Sequence, residues 1–353
     1  MTRLLAVLGS LAGLANTING FRPLSKRGYP SLAAFAFGVF ATELPLHLIA
    51  GQAAALAALS RRLSPRARWA GWLLSGISWL GLVRLNQAGR SANQPLTEAL
   101  DVELGAGRRT DSRGLWKRPG PDAEIAKAPG VARMMRVYRD YATDSDIPYG
   151  EYGGRNTLDV WRHRDLPRDG RAPVLLQIPG GAWMVGSKRG QAHPLMAHLV
   201  ERGWVCVSIN YRLGALGSFA HPALTAAAKP GTPLANYYLM DQIAALEWVK
   251  ANARAFGGDP SNITVFGESA GGGDILALLS TARARGLVSK AIVQSGGGWA
   301  APLSLAEKEA QGVQVAEALR LSNPTADQLR ATPVEDLVAK VTDNFGIAVD
   351  GRL

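Results

Sequence analysis

Hydrophobic positions fall along this chain in two textures. Over the first hundred residues they form long, nearly uncharged stretches at 4–15, 31–60 and 69–85. The first follows Arg3 and has the make-up of a short signal h-region or the start of an anchor. The second is long enough to cross a bilayer, although it contains Glu43, Pro45, His47 and Gln52. The third carries tryptophans toward both ends, where amphipathic rings favour a membrane interface. Two readings follow: a helical lid packed on a soluble domain, or a membrane anchor of two or three helices. So few charges over so long a run favour the anchor. Glu43 and His47, spaced i, i+4, would share a helix face and could pair, or could mark a helix end beside Pro45. Basic residues flank both long stretches (Lys26 and Arg27, the arginines from 61 to 68, Arg84 and Arg90), so charge leaves the topology open.

Residues 86 to about 155 read as a connector, with polar runs at 107–114 and turn-forming residues at 115–122. From 156 the apolar runs become short and regularly spaced. VLLQI (174–178), VCVSI (205–209), ITVF (263–266) and KAIVQ (290–294) read as strands. Helical patterns lie at about 190–202, 238–256 and from the elbow near 270 to about 284. Strands that are apolar throughout, alternating with helices, predict an α/β fold whose mostly parallel sheet is covered on both faces. Its ligands are expected at the carboxyl ends of the strands. The predicted organisation is a hydrophobic helical region over 1–90, a connector over 91–155 and an α/β domain over 156–353. No internal repeat is visible.

Composition changes this picture little. Hydrophobic residues make up 47% of the 353 and charged residues 19%, enough for a sizeable core. The net charge of +11 includes the cluster Arg61, Arg62, Arg66 and Arg68. Beside apolar stretches such a cluster reads as a membrane flank rather than a nucleic-acid surface. Cys206 is the single cysteine, so no intrachain disulfide exists, and its place in VCVSI predicts a packed thiol. No metal-ligand spacing appears, and GAGR at 105–108 is too short for a phosphate or dinucleotide loop. No cofactor is expected.

The chemistry is carried by Gly267-Glu268-Ser269-Ala270-Gly271, which follows a strand and opens a helix. A G-x-S-x-G in that context is a nucleophile elbow, whose turn is tight enough to require small residues two places either side of the serine. The turn sets Ser269 at a helix N-terminus, where backbone N–H groups favour an oxyanion. The glycine turn after VLLQI, Pro179-Gly180-Gly181-Ala182-Trp183, stands where the other donors are needed.

NYRLGALG (210–217), the stretch from Asn236 through Asp241-Gln242, residues 244–272 and IVQSG (292–296), with a weaker echo in AVDG (348–351), resemble the type B carboxylesterase family. The resemblance covers roughly 156–353. It implies an α/β-hydrolase fold with a doubly wound sheet and hydrolysis of a small-molecule ester through an acyl-enzyme on Ser269. It also implies an oxyanion hole from Gly180, Gly181 and Ala270. Pro179 stands where the family usually has a histidine that is not the catalytic base. The hydrophobic N-terminus is atypical and is similar to the membrane-attached front of some bacterial esterases of the hormone-sensitive-lipase type. Residues 31–85 are therefore expected to associate with a membrane, the bacterial inner membrane. A composite chain is another reading.

The family order is serine, acid, histidine, yet all five histidines (His47, His163, His193, His198 and His221) precede Ser269. The sequence thus reads as a carboxylesterase truncated at its C-terminus, with an incomplete sheet, weak turnover and poor solubility. His221 is the nearest substitute base and is read as a packing histidine. Glu268 points away from the serine on so sharp a turn, and Asp343 and Asp350 read as exposed carboxylates. The alternative is a catalytically silent, membrane-tethered binding module on a hydrolase scaffold.

Overall fold

The computed structural model describes residues 2–26, 29–104, 141–191, 193–297, 301–340 and 346–353. Arg27, the polar runs at 107–122, GAGR and Asp343 lie outside them. The chain forms two compact units, Met1–Arg113 and Gly114–Leu353.

The first unit is helical: α1 (Thr2–Phe21), α2 (Tyr29–Glu43), α3 (Pro45–Ser60), α4 (Pro65–Ser91) and α5 (Asn93–Leu104). Proline opens α3 and α4, where its missing N–H and fixed φ do no harm. Residues 31–60 do not form the single long element expected of them, since α2 and α3 meet at a 95° bend around Leu44. That bend also separates Glu43 from His47, so they share no helix face, and both are exposed. Among the described residues no single helix is long and apolar enough to cross a membrane, while the bent pair Ala33–Glu43 and Pro45–Ser60 passes that test together.

Polar side chains fill much of this unit's interior. Thr17 and Ser78 share a hydrogen bond of 2.8 Å, and Ser75 donates to Ser10 at 3.1 Å. Trp79 Nε1 donates to Gln52 Oε1 at 2.9 Å, and Asn19 donates to the Ala34 carbonyl. Small residues make this possible: a Cβ on Gly81 would lie 2.6 Å from the Thr17 side chain. Phe35, Phe37, Leu73 and Leu80 are exposed instead.

The second unit is built on a six-stranded sheet in the order β1-β2-β4-β3-β5-β6. The strands are β1 (Ala142–Pro148), β2 (Thr157–Trp161), β3 (Ala172–Ile178), β4 (Val205–Ile209), β5 (Gly258–Glu268) and β6 (Lys290–Gln294). The four predicted strands run parallel side by side, and β1 and β2 add an antiparallel edge. Its longer helices are α6 (His193–Val200), α9 (Tyr237–Asn252), α10 (Ala270–Ser280) and α11 (Leu305–Ala318). Shorter ones are α7 (Gly214–Ser218), α8 (Pro222–Ala226), α12 (Ala326–Ala331) and α13 (Val334–Lys340).

Alternation along the strands divides the core. Val174, Leu176 and Ile178 point to the face covered by α9 and α10, with Val207 and Val265. Leu175, Cys206 and Phe266 point to the other, with Trp161 and Met196 of α6. Burying one such aliphatic side chain contributes about 1.5–3 kcal/mol.

Three expectations need correction. The stretch read as a connector includes α5 and strand β1, because β1 pairs with β2 and joins the sheet. Coverage of both faces fails at β6, an edge strand whose residues are exposed throughout, Ile292 and Val293 included. The third helix stops at Ser280 rather than 284, since Thr281 turns extended at ψ 139°.

Candidate active site

β5 delivers the elbow. Ser269 adopts φ 57° and ψ −121°, a region that disfavours any L side chain, and it is exposed. The surrounding packing enforces this. A Cβ on Gly267 would sit 2.4 Å from the Gly271 carbonyl oxygen, and one on Gly271 would sit 2.2 Å from that of Ile178. The Ser269 N–H donates to the Gln294 carbonyl at 2.9 Å, tying the elbow to the end of β6. The hydroxyl projects from the N-terminus of α10, whose first N–H belongs to Ala270.

The glycine turn lies directly against the elbow, for a Cβ on Gly180 would meet the Glu268 carbonyl oxygen at 2.3 Å. Here the donor set is revised. The Gly180 N–H is already committed to Gln191 Oε1 at 2.7 Å, so it is not open to an oxyanion. Gly181, at φ 129°, and Ala182, at φ 54°, turn the backbone over, and their N–H groups bond to no described residue. Gly181, Ala182 and Ala270 are therefore the open amides. Gln191 also donates to Glu268 at 3.4 Å, which engages that carboxylate away from the serine.

The NYRLG stretch holds this turn. The Tyr211 hydroxyl donates to the Pro179 carbonyl at 2.6 Å, and the Gly214 N–H to that of Trp183 at 2.7 Å. Arg212 grips Asp241 with a fork of charged hydrogen bonds, the closest at 2.8 Å, beneath the Tyr152 ring. The next residue, Gln242, donates to Asp274 at 2.6 Å, and Trp183 Nε1 donates to the same carboxylate at 2.7 Å. Asp274 is fully buried, and burial pushes its carboxyl up to about 7 despite these two hydrogen bonds. Sequence reading missed Gln191, Ala182 and Asp274. Only the contiguity of Asp241-Gln242 with the family pattern hinted at a shared support.

A cavity of about 770 Å³ runs along α10, bounded by Trp183, Gly273, Leu276, Ala277, Leu303 and Ile347. Its lining is chiefly apolar, suited to a hydrocarbon portion of a ligand.

None of the described side chains hydrogen-bonds the Ser269 hydroxyl. His163 Nδ1 accepts from the Asp165 N–H, and His193 and His198 sit on α6, where burial lowers both pKa values. His221 caps α8: its Nδ1 accepts from the Ala223 N–H at 3.1 Å, as befits a packing histidine. Asp350 is buried rather than exposed, accepting from the N–H groups of Leu234, Arg352 and Leu353. Burial likewise pushes the Cys206 thiol up. Among the described residues no group of three His, Cys, Asp or Glu side chains is placed to hold a metal ion.

The sequence pattern of the Carboxylesterase family matches residues 157–352. "Probable carboxylic ester hydrolase LipM" of Mycobacterium tuberculosis is 48% identical over 73% of this chain and 56% of its own. "Esterase LipQ" of the same organism is 37% identical over 69% of this chain and 50% of its own. A solved carboxylesterase of Geobacillus stearothermophilus is 34% identical, with a TM-score of 0.49 over 56% of this chain and 41% of that one. The chain spans about half the length of the curated relatives it matches.

Proposed function

The chain belongs to the carboxylesterase family, and on that premise we propose that it hydrolyses carboxylic esters through an acyl-enzyme on Ser269. The observation that carries this is an exposed hydroxyl held at φ 57° beside a turn with open amides. In the proposed reaction Ser269 Oγ attacks the acyl carbon and its proton passes to a base. The carbonyl electrons move onto oxygen, which the amides of Gly181, Ala182 and Ala270 stabilise. Collapse of this intermediate expels the alcohol, and water then releases the acid from the serine.

We also infer that these 353 residues, acting alone, turn over slowly, because no described side chain stands ready to take the serine proton. Oxyanion donors and binding without a base retain ~10³–10⁴ over water. A fluorophosphonate probe and p-nitrophenyl butyrate, each beside Ser269→Ala, test both parts. Labelling that Ser269→Ala abolishes, with slow ester turnover, is the expected result. Turnover at ordinary esterase rates, lost in Ser269→Ala, would overturn the slow-turnover reading. No labelling at all would favour a silent binding module.

A second reading concerns the helical unit, which we propose associates with a membrane, the bacterial inner membrane in the setting expected from sequence. Its support is the exposure of Phe35, Phe37, Leu73 and Leu80 while Thr17, Ser75 and Ser78 are buried. Flotation of the purified chain with anionic vesicles is expected, and a chain left wholly in the aqueous fraction would refute it.

A further inference from the structure

Asp274 takes no part in the proposed chemistry, yet it is fully buried, five residues after Ser269 on α10. Burying a carboxylate is costly unless hydrogen bonds or an ion pair compensate it. Its two oxygens are divided between two elements. Oδ2 accepts from Gln242 on α9, and Oδ1 accepts from the indole of Trp183, 91 positions earlier in sequence. Trp183 is the last residue of the turn that offers the Gly181 and Ala182 amides, and it too has a left-handed backbone, at φ 59°.

The far end of that turn is held largely through backbone hydrogen bonds. Met184 and Val185 donate to the Gly181 carbonyl, each at 3.0 Å, and Gly214 donates to that of Trp183. Tyr211 and Gln191 hold its start by their side chains, at Pro179 and Gly180, and the indole bond to Asp274 is the side-chain anchor at its Trp183 end. It sets the ring against Tyr238, with centroids 6.4 Å apart, and beside Gly273, where it forms one wall of the apolar cavity.

We propose that Asp274 is a positioning residue: by holding the Trp183 indole it fixes both the open amides of the glycine turn and one wall of the apolar cavity along α10. This rests on the hydrolase reading for its consequence, but the contact itself does not. A charged acceptor makes a shorter, stronger bond than a neutral one, so the anchor is firmest when Asp274 is ionised. Burial pushes its carboxyl up to about 7, so the anchor is expected to tighten as pH rises through neutrality. The titratable groups facing it, Tyr211 and Tyr238, are pushed up by burial and stay neutral over that range. Gln242 Oε1 is buried without a partner. A protonated Asp274, or an asparagine there, could donate to it after the amide turns over, leaving an oxygen for the indole.

The experiment uses the whole chain and two readouts. Tryptophan emission of the wild type minus that of Trp183→Phe isolates the indole. This difference is expected to change with a midpoint near pH 7 and to be flat in Asp274→Asn. Fluorophosphonate labelling of Ser269 at pH 8 is expected to slow at least tenfold in Asp274→Leu and to stay within about threefold of wild type in Asp274→Asn, which keeps an acceptor. Circular dichroism guards against misfolding, and if the leucine variant does not fold, the asparagine and phenylalanine variants still decide the contact. An unchanged labelling rate in a folded Asp274→Leu, or a Trp183 emission indifferent to pH in the wild type, would overturn the proposal. Absence of labelling in every form would count against the hydrolase reading, and the emission titration would then judge the anchor alone.

Discussion

In the α/β unit Leu175, Leu176, Ile178 and Ile263 are fully buried, whereas in the helical unit Ser75, Ser78, Thr17 and Asn19 are buried and Phe35, Leu73 and Leu80 face outward. Both units are rich in apolar residues, so composition alone does not separate them. What differs is where the polar hydrogen-bonding groups go. In the α/β unit most of the core is aliphatic, and a buried charge such as Asp241 is paired, in its case with Arg212. In the helical unit hydroxyls and amides pair with each other between helices, and the apolar surface is left to its surroundings. An interior organised by water exclusion thus stands against one organised by close approach and hydrogen bonding.

The largest test of this comparison uses the buried carboxylate. Asp274 has its pKa raised from 3.8 to about 7 in the folded chain, so the folded state binds its proton more tightly than the unfolded one. Stability contributed by that proton is present below pH 4 and is lost as pH rises to 7, by roughly 4 kcal/mol. Denaturant unfolding of the wild type relative to Asp274→Asn is expected to show this difference falling from about pH 4 to pH 7 and levelling off above it. A difference independent of pH would mean that the site is wetter than its packing implies.

Leu176→Ala comes next. It removes a fully buried side chain from the α9 face of the sheet and is expected to cost ~2–5 kcal/mol of α/β-unit stability in the same assay. The complementary change in the helical unit is Leu80→Lys, at a position 74% exposed. If that face meets only water, the cost is within ~0.5 kcal/mol. If it meets lipid, vesicle partitioning is expected to fall by the equivalent of ~3 kcal/mol. The smallest effects concern helix caps. Ser304 and Glu307 form a complete capping box on α11, so Ser304→Ala is expected to cost ~1 kcal/mol. On α4 the Ser64 hydroxyl accepts from Ala67 at 3.5 Å, so Ser64→Ala is expected to cost less in a thermal melt.

Where information was local, the sequence was readable. VLLQI and VCVSI announced β3 and β4, because a strand buried on both faces needs a nearly unbroken apolar run, and the shorter apolar centre of KAIVQ announced the exposed edge strand β6. GESAG announced the strained Ser269, since glycines at 267 and 271 are the residues that let the backbones touch there. Assigning an oxyanion donor to Gly180 failed because its partner, Gln191, reaches back across eleven positions. The exposed reading of Asp350 failed for a similar reason, as the amide it caps belongs to Leu234, 116 positions away. Nothing in the order of apolar residues from 31 to 60 specified a 95° bend.

Sequence by itself therefore determined the α/β class, the family and the tight strand-to-helix turn that carries Ser269, the proposed nucleophile. These follow from periodicity and from steric limits acting within a few residues. Tertiary structure alone decided which amides stay open, which carboxylate anchors Trp183 and which side of the N-terminal helices faces out. Each of those depends on hydrogen bonds or packing between segments far apart in the chain, where one donor has several possible partners and only the folded geometry selects among them.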